Sequence, residues 1–150
     1  CRFAPQGSRG LNTLGYDANY GQMSLPQFIE SANKNAFVGI QIETVEALEC
    51  VEEIVALDTV DFLFLGPADL SVALGVPGDF LNPKCKAAIQ RIGKACAAAK
   101  KGWGVVPFGP EHTDLCVDNG CRMISIGADV RILNLGIESM RKGFSKYTGA

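Results

Sequence analysis

Glu43 and Asp69 stand 26 residues apart, and each closes a short apolar run. One run leads through Phe37 and Val38 into Gln41-Ile42-Glu43; the other, Phe62 to Leu65, leads into Gly66-Pro67-Ala68-Asp69-Leu70-Ser71. Both runs read as buried strands separated by one amphipathic helix, a β-α-β unit with a carboxylate at the same end of each strand. Parallel neighbours lie about 4.8 Å apart, and sites in such arrays gather at the carboxyl ends of the strands. Two carboxylates there can share a divalent cation through oxygen atoms or divide acid and base roles. Mg²⁺ suits a site with few protein ligands, several waters and a chelating substrate; Mn²⁺ or Co²⁺ could occupy the same donors. The same two residues also suit helix starts, where negative charge is favoured, and Glu43 directly precedes Thr44. The residues alone leave both readings open.

Gly66-Pro67-Ala68-Asp69 carries a second possibility. Gly66 lets the backbone approach a ligand. The N–H groups of Ala68 and Asp69 could face an anion at the start of a helical turn, whereas Pro67 has no N–H to give. A tight loop that only reverses the chain is the plainer reading. Arg9, between Gly7 and Gly10, has a fork suited to a carboxylate, but a surface or inter-subunit salt bridge is the default for it. His112 is expected to face solvent. Asp129 and Arg131, at the last strand end, are expected to pair with each other or to line the mouth.

The elements that must hold these residues follow from period and punctuation. Residues 1–35 are expected to be an irregular loop region, broken by Gly7, Gly10, Gly15, Gly21, Pro5 and Pro26, with a short helix from Pro26 to Asn33. Residues 36–150 read as four β-α units. Strands are expected at about 37–42, 61–65, 103–108 and 123–126. Thr44 should cap the first helix, which carries Val45, Leu48, Val51, Ile54 and Val55 along one side. A polar loop is expected from Gly66 through Asp79. Asn82 then caps a helix with Pro83 in its first turn. A short helix from Glu111 to Asn119 should stop at Gly120, and a last helical region covers about 131–145.

Four such units make an α/β array with a parallel sheet. No Gly-x-Gly-x-x-Gly fingerprint follows any strand, so a dinucleotide fold is disfavoured. Acidic or glycine residues at every strand end instead fit part of a (β/α)8 TIM barrel. A whole barrel takes about 250 residues, so this chain is expected to be the C-terminal part of a single barrel domain.

Composition narrows the function further. With a net charge of −2 and no basic stripe, nucleic acid is not an expected partner. No apolar stretch reaches a membrane-spanning length. The six cysteines include no C-x-x-C pair and read as small buried thiols of a reducing, cytoplasmic protein. The single histidine excludes a histidine metal cluster.

Taken together, Pro5-Gln6-Gly7-Ser8-Arg9-Gly10, Gln41-Ile42-Glu43-Thr44 with Glu46-Ala47-Leu48-Glu49, Gly66-Pro67-Ala68-Asp69-Leu70-Ser71 and Ile126-Gly127-Ala128-Asp129 resemble the HpcH/HpaI family of metal-dependent aldolases. The resemblance covers essentially the whole chain but only the second half of the family's barrel, strands five to eight. It implies that Glu43 and Asp69 are the metal ligands and the catalytic carboxylates. It further implies that Gly66, Pro67, Ala68 and Asp69 bind a small 2-oxo acid through its carboxylate. The expected reaction is class II aldol cleavage of a 4-hydroxy-2-oxo acid to pyruvate, or a related 2-oxo acid, and an aldehyde. The family's histidine and arginine fall before the segment matching Cys1, and neither His112 nor Arg9 corresponds to them. A homo-oligomer, trimer or hexamer, is likewise implied. The alternatives are an acyl-CoA lyase of the citrate lyase β-subunit type, an enolate enzyme like macrophomate synthase, or a non-enzymatic barrel remnant that packs on or regulates a partner.

Overall fold

A computed structural model of the chain describes residues 1–148. Four strands, β1 (Gly39–Ile42), β2 (Phe62–Leu65), β3 (Gly102–Val105) and β4 (Met123–Ile124), form one parallel sheet in sequential order. The register pairs Ile42 with Leu65 and Leu65 with Val105, so the carboxyl ends of the first three strands lie level.

Alternation along the strands assigns the two faces. Ile42, Leu63, Leu65, Trp103 and Val105 are buried in the main core together with the helices. Burying side chains of this size is worth about 1.5–3 kcal/mol each, and a one-residue slip would turn all of them to the other face. Gln41, Phe62, Phe64 and Gly104 belong to that opposite face, where the Phe62 and Phe64 rings lie 6.4 Å apart. Helices on one face of a sequentially ordered parallel sheet make an arc of a barrel rather than a doubly wound sheet.

The first crossover is broken into α2 (Val45–Glu49) and α3 (Val51–Ala56) at Cys50, instead of the single helix expected. Arg91 takes up the junction: Nη2 donates to the Glu49 carbonyl at 2.9 Å and to the Glu52 carboxylate at 2.8 Å. That contact holds the Glu52 carboxyl down at about 2. Thr44 caps α2 by accepting from the Ala47 N–H at 3.1 Å.

The expected loop from Gly66 to Asp79 is a helix at its start, α4 (Pro67–Ala73). Proline fits a first helical position, because the N–H it lacks would have had no partner there, and Leu70 anchors α4 in the core. The long α5 (Pro83–Ala98) begins as expected, with Asn82 accepting from the Lys84 N–H at 3.1 Å.

The third strand ends at Val105 rather than Phe108, since Pro107 cannot donate to a ladder. α6 (Pro110–Asp118) closes at Asn119 and Gly120, the latter with φ +84°. The fourth strand holds only two residues, although Ser125 N–H still reaches the Val105 carbonyl at 2.9 Å.

α7 (Asp129–Gly143) buries none of its residues. Its Ile132, Leu133, Leu135 and Met140 are all more than half exposed. The short α8 (Ser145–Thr148) ends the described chain. At the other end, residues 1–35 are more ordered than expected. α1 spans Leu25–Asn35, and Phe3, Ala18 and Phe28 form a small second core. Buried Asn33 of α1 locks Phe3 in place, accepting its N–H at 2.6 Å and donating to its carbonyl at 3.3 Å.

Candidate metal and oxo-acid site

Glu43 is the first residue beyond β1, half-buried, on the same side of the chain as Gln41. Gln41 Nε2 donates to Glu43 Oε2 at 2.6 Å, which orients the carboxylate. Gln41 had no role in the sequence reading, although strand alternation aligns it with Glu43. Thr44 performs the helix capping, so Glu43 is left without that duty.

Gly66 is the residue where the two strand ends meet. Its N–H donates to the Ile42 carbonyl at 3.0 Å, extending the ladder by one residue. A Cβ built on Gly66 would lie 3.0 Å from Glu43 Cβ, 3.1 Å from Glu43 Oε2 and 2.8 Å from Gln41 Nε2. The Glu43 carboxylate therefore rests directly against the Gly66 backbone, and only glycine leaves the space.

From Gly66 the chain turns straight into α4. The first helical hydrogen bond runs from Leu70 N–H to the Gly66 carbonyl at 3.0 Å. The Ala68 and Asp69 N–H groups precede it, as the leading N–H groups of any helix do. Asp69 is the third residue of α4 and exposed; three residues of helix advance about 4.5 Å from Gly66. The α4 N-cap is Gly66, and Asp69 lies in the first turn of α4, where the positive end of the helix also favours a carboxylate.

The chemistry of this donor set suits a hard cation. Glu43 offers its carboxylate directly after β1, and Asp69 offers one from the first turn of α4, which follows the neighbouring β2. Among the described residues no group of three or more His, Cys, Asp or Glu could hold a metal ion. A cation held by Glu43 and Asp69 would thus keep most of its positions for water and a chelating ligand, which is the habit of Mg²⁺.

Other candidates fall elsewhere. Arg9 makes the expected surface ion pair, with Asp17 at 2.7 Å, and its guanidinium lies over the Phe3 ring at 4.7 Å. Asp129 accepts the Val130 N–H at 2.8 Å rather than pairing with Arg131. His112 corrects the expectation of a solvent-facing ring: it is 1% exposed, and burial lowers its pKa. Its hydrogen-bond partners Phe108 and Cys116 are local, whereas Phe80, which packs against the ring, is distant in the chain and no local pattern signals it.

Cys85, Cys96, Cys116 and Cys121 are buried and free, whereas Cys1 and Cys50 are exposed, against the expectation of buried thiols throughout. Burial pushes Cys96 up to about 11 and Cys116 up to about 12. Such thiols are not nucleophiles near neutral pH. No helix among the described residues is long and apolar enough to cross a membrane.

The chain belongs to the HpcH/HpaI aldolase/citrate lyase family, whose model matches residues 1–134. It is 33% identical over 132 residues to a hydroxypyruvate/pyruvate aldolase of Delftia acidovorans, covering 88% of this chain and 49% of that protein. It is 31% identical over 145 residues to a 4-hydroxy-2-oxo-heptane-1,7-dioate aldolase of Klebsiella pneumoniae, covering 96% of this chain and 54% of that protein. A solved family structure from Burkholderia cenocepacia superposes with a TM-score of 0.79 at 29% identity, over 94% of this chain and 56% of the other. The chain thus spans about half the length of the curated relatives it matches, and its four parallel strands are half of a (β/α)8 barrel.

Proposed function

We propose that this chain is the metal-binding, oxo-acid-binding half of a divalent-metal-dependent class II aldolase, residues 1–150 being the C-terminal part of one barrel domain. The complete protein would cleave a 4-hydroxy-2-oxo acid to pyruvate, or a related 2-oxo acid, and an aldehyde. The aldolase names of the relatives support the reaction class. The observation that carries the residue assignment is the contact of the Glu43 carboxylate with the Gly66 backbone at the start of α4. It brings a cation donor against a segment suited to a carboxylate.

Glu43 and Asp69 would hold Mg²⁺, with Mn²⁺ or Co²⁺ as substitutes. When bound, the cation supplies Lewis-acid chemistry, stabilising negative charge that develops on the 2-oxo oxygen. Gln41 keeps Glu43 oriented as a ligand. The N–H groups of Ala68 and Asp69 would receive the substrate carboxylate, aided by the positive end of α4. Pro67 holds the turn and Gly66 keeps it open. Removal of the 4-hydroxyl proton is assigned to the other half of the barrel.

A homo-oligomer rests on the family likeness alone, and the four buried free thiols support a cytoplasmic setting. The experiment is metal stripping of the complete protein followed by a pyruvate-release assay on a 4-hydroxy-2-oxo acid. Activity should vanish and return with added Mg²⁺ or Mn²⁺. Unchanged turnover after exhaustive chelation would exclude the mechanism, and cleavage confined to acyl-CoA substrates would move the protein to the citrate lyase branch.

A further inference from the structure

We propose that His112 is a positioning residue: its imidazole fixes the loop after β3 and, through the paired rings of Phe108 and Phe80, steadies the start of α4. The ligand named here, a 2-oxo acid at α4, rests on the function proposed above; the coupling itself rests on geometry.

His112 is the third residue of α6 and almost fully enclosed. Its Nδ1 accepts the Phe108 N–H at 3.3 Å, so the ring carries its proton on Nε2, which lies 3.9 Å from Cys116 Sγ one turn along. Burial favours the neutral ring that this contact needs. The Phe108 amide has left the strand ladder, and His112 is what satisfies it.

The Phe108 ring stacks on Phe80 with centroids 4.0 Å apart and planes 16° from parallel. Phe80 in turn lies 5.8 Å from the His112 ring. Phe80 and His112 share an apolar cavity of about 10 Å³ with Leu65, Pro67 and Leu70. That is about the space of a single water, so these side chains have little room to move independently. Pro67 is the first residue of α4, directly before Ala68 and Asp69. Buried Ser71 adds a second tie, donating to the Ala68 carbonyl at 2.7 Å and accepting the Gly78 N–H at 3.0 Å, two residues before Phe80. The rings of His112, Phe108 and Phe80 thus join α6 to a cavity that Pro67 and Leu70, at the start of α4, also line.

Three variants of the complete protein test this. His112→Leu removes the acceptor and keeps apolar volume, His112→Asn retains an acceptor at the δ position, and Phe108→Ala removes the stack but leaves His112. The first readout is amide hydrogen exchange. The hydrogen-bonded amides of residues 70–74 should exchange at least about threefold faster in His112→Leu and Phe108→Ala, and near the unsubstituted rate in His112→Asn. The second readout is pyruvate titrated onto Mg²⁺-loaded protein. Its Kd should rise about tenfold in His112→Leu and recover to within about threefold in His112→Asn. Faster exchange confined to 106–110, with 70–74 and the pyruvate Kd unchanged, overturns the inference. Should His112→Leu not fold, Phe108→Ala and His112→Asn decide by the same exchange criterion. Pyruvate that fails to bind even the unsubstituted protein counts against the proposed function, and the exchange data still decide the coupling.

Discussion

Gly66→Ala is the sharpest perturbation of the site. Gly66 has φ −95°, which any residue adopts, so the substitution carries no left-handed penalty and its cost is purely contact. The new Cβ would stand 3.0 Å from Glu43 Cβ, against about 3.5–4.0 Å for relaxed carbon contacts. Its other neighbour, Gln41 Nε2 at 2.8 Å, is the end of a flexible side chain and can swing away, but only by giving up its bond to Glu43. Glu43 Cβ cannot swing, because it is fixed to the end of β1. The relief must come from separating β1 and β2 at the Gly66–Ile42 bond or from displacing Glu43. Overpacking of this kind costs about 1–3 kcal/mol. A carboxylate displaced by about half an ångström no longer meets the Mg²⁺ requirement of about 2.0–2.1 Å, so affinity for the cation should fall more than about tenfold. Gly39→Ala is the control: in β1, the strand that leads into Glu43, its Cβ would meet only Phe62 Cδ1 at 3.8 Å, an ordinary contact. Urea unfolding and calorimetric Mn²⁺ titration of the complete protein measure both effects. A Gly66→Ala protein that binds Mn²⁺ as tightly as the Gly39→Ala control would refute the contact between Glu43 and the Gly66 backbone as the basis of the site.

Glu43→Gln and Asp69→Asn should each weaken cation binding by more than about tenfold and suppress pyruvate release, since a neutral amide replaces a charged oxygen donor. Arg9→Lys should leave both within about twofold; its exposed pair with Asp17 is worth about 1 kcal/mol or less. Unfolding free energy should fall with decreasing pH once below 6.5, because the unfolded chain protonates His112 there while the buried ring, with its lowered pKa, does not. That component, at most about 1.4 kcal/mol per pH unit, should be missing from the unfolding profile of His112→Asn. Gly93→Ala, whose Cβ would lie 2.3 Å from the Asn119 carbonyl oxygen, should cost at least about 2 kcal/mol in urea unfolding while leaving the Mn²⁺ affinity unchanged.

The features legible in the sequence were those decided within a few residues. Thr44 and Asn82 announce their helices because a side-chain oxygen reaches an N–H two or three residues on. Gly120 ends α6 because it tolerates φ +84°. Where local signals compete, they mislead: Gly66-Pro67 reads as a turn, yet proline is equally at home opening a helix, and buried Leu70 decides for α4. His112 was misjudged for a different reason. Its enclosure depends on Phe80, 32 residues earlier and carried by another β-α unit, so no window along α6 contains the information. The candidate site lies between these cases. Parallel topology alone put Glu43 and Asp69 at the same end of neighbouring strands. The approach of Glu43 to Gly66 requires the particular register of Ile42 with Leu65, which is set by burial of the whole strand face. A shift of one residue would bury Glu43 beneath the helices and expose Ile42. The hydrophobic pattern that makes the sheet is therefore also what sets Glu43 against Gly66, and substitutions in the helix-facing core should degrade cation binding in proportion to how far they loosen that register.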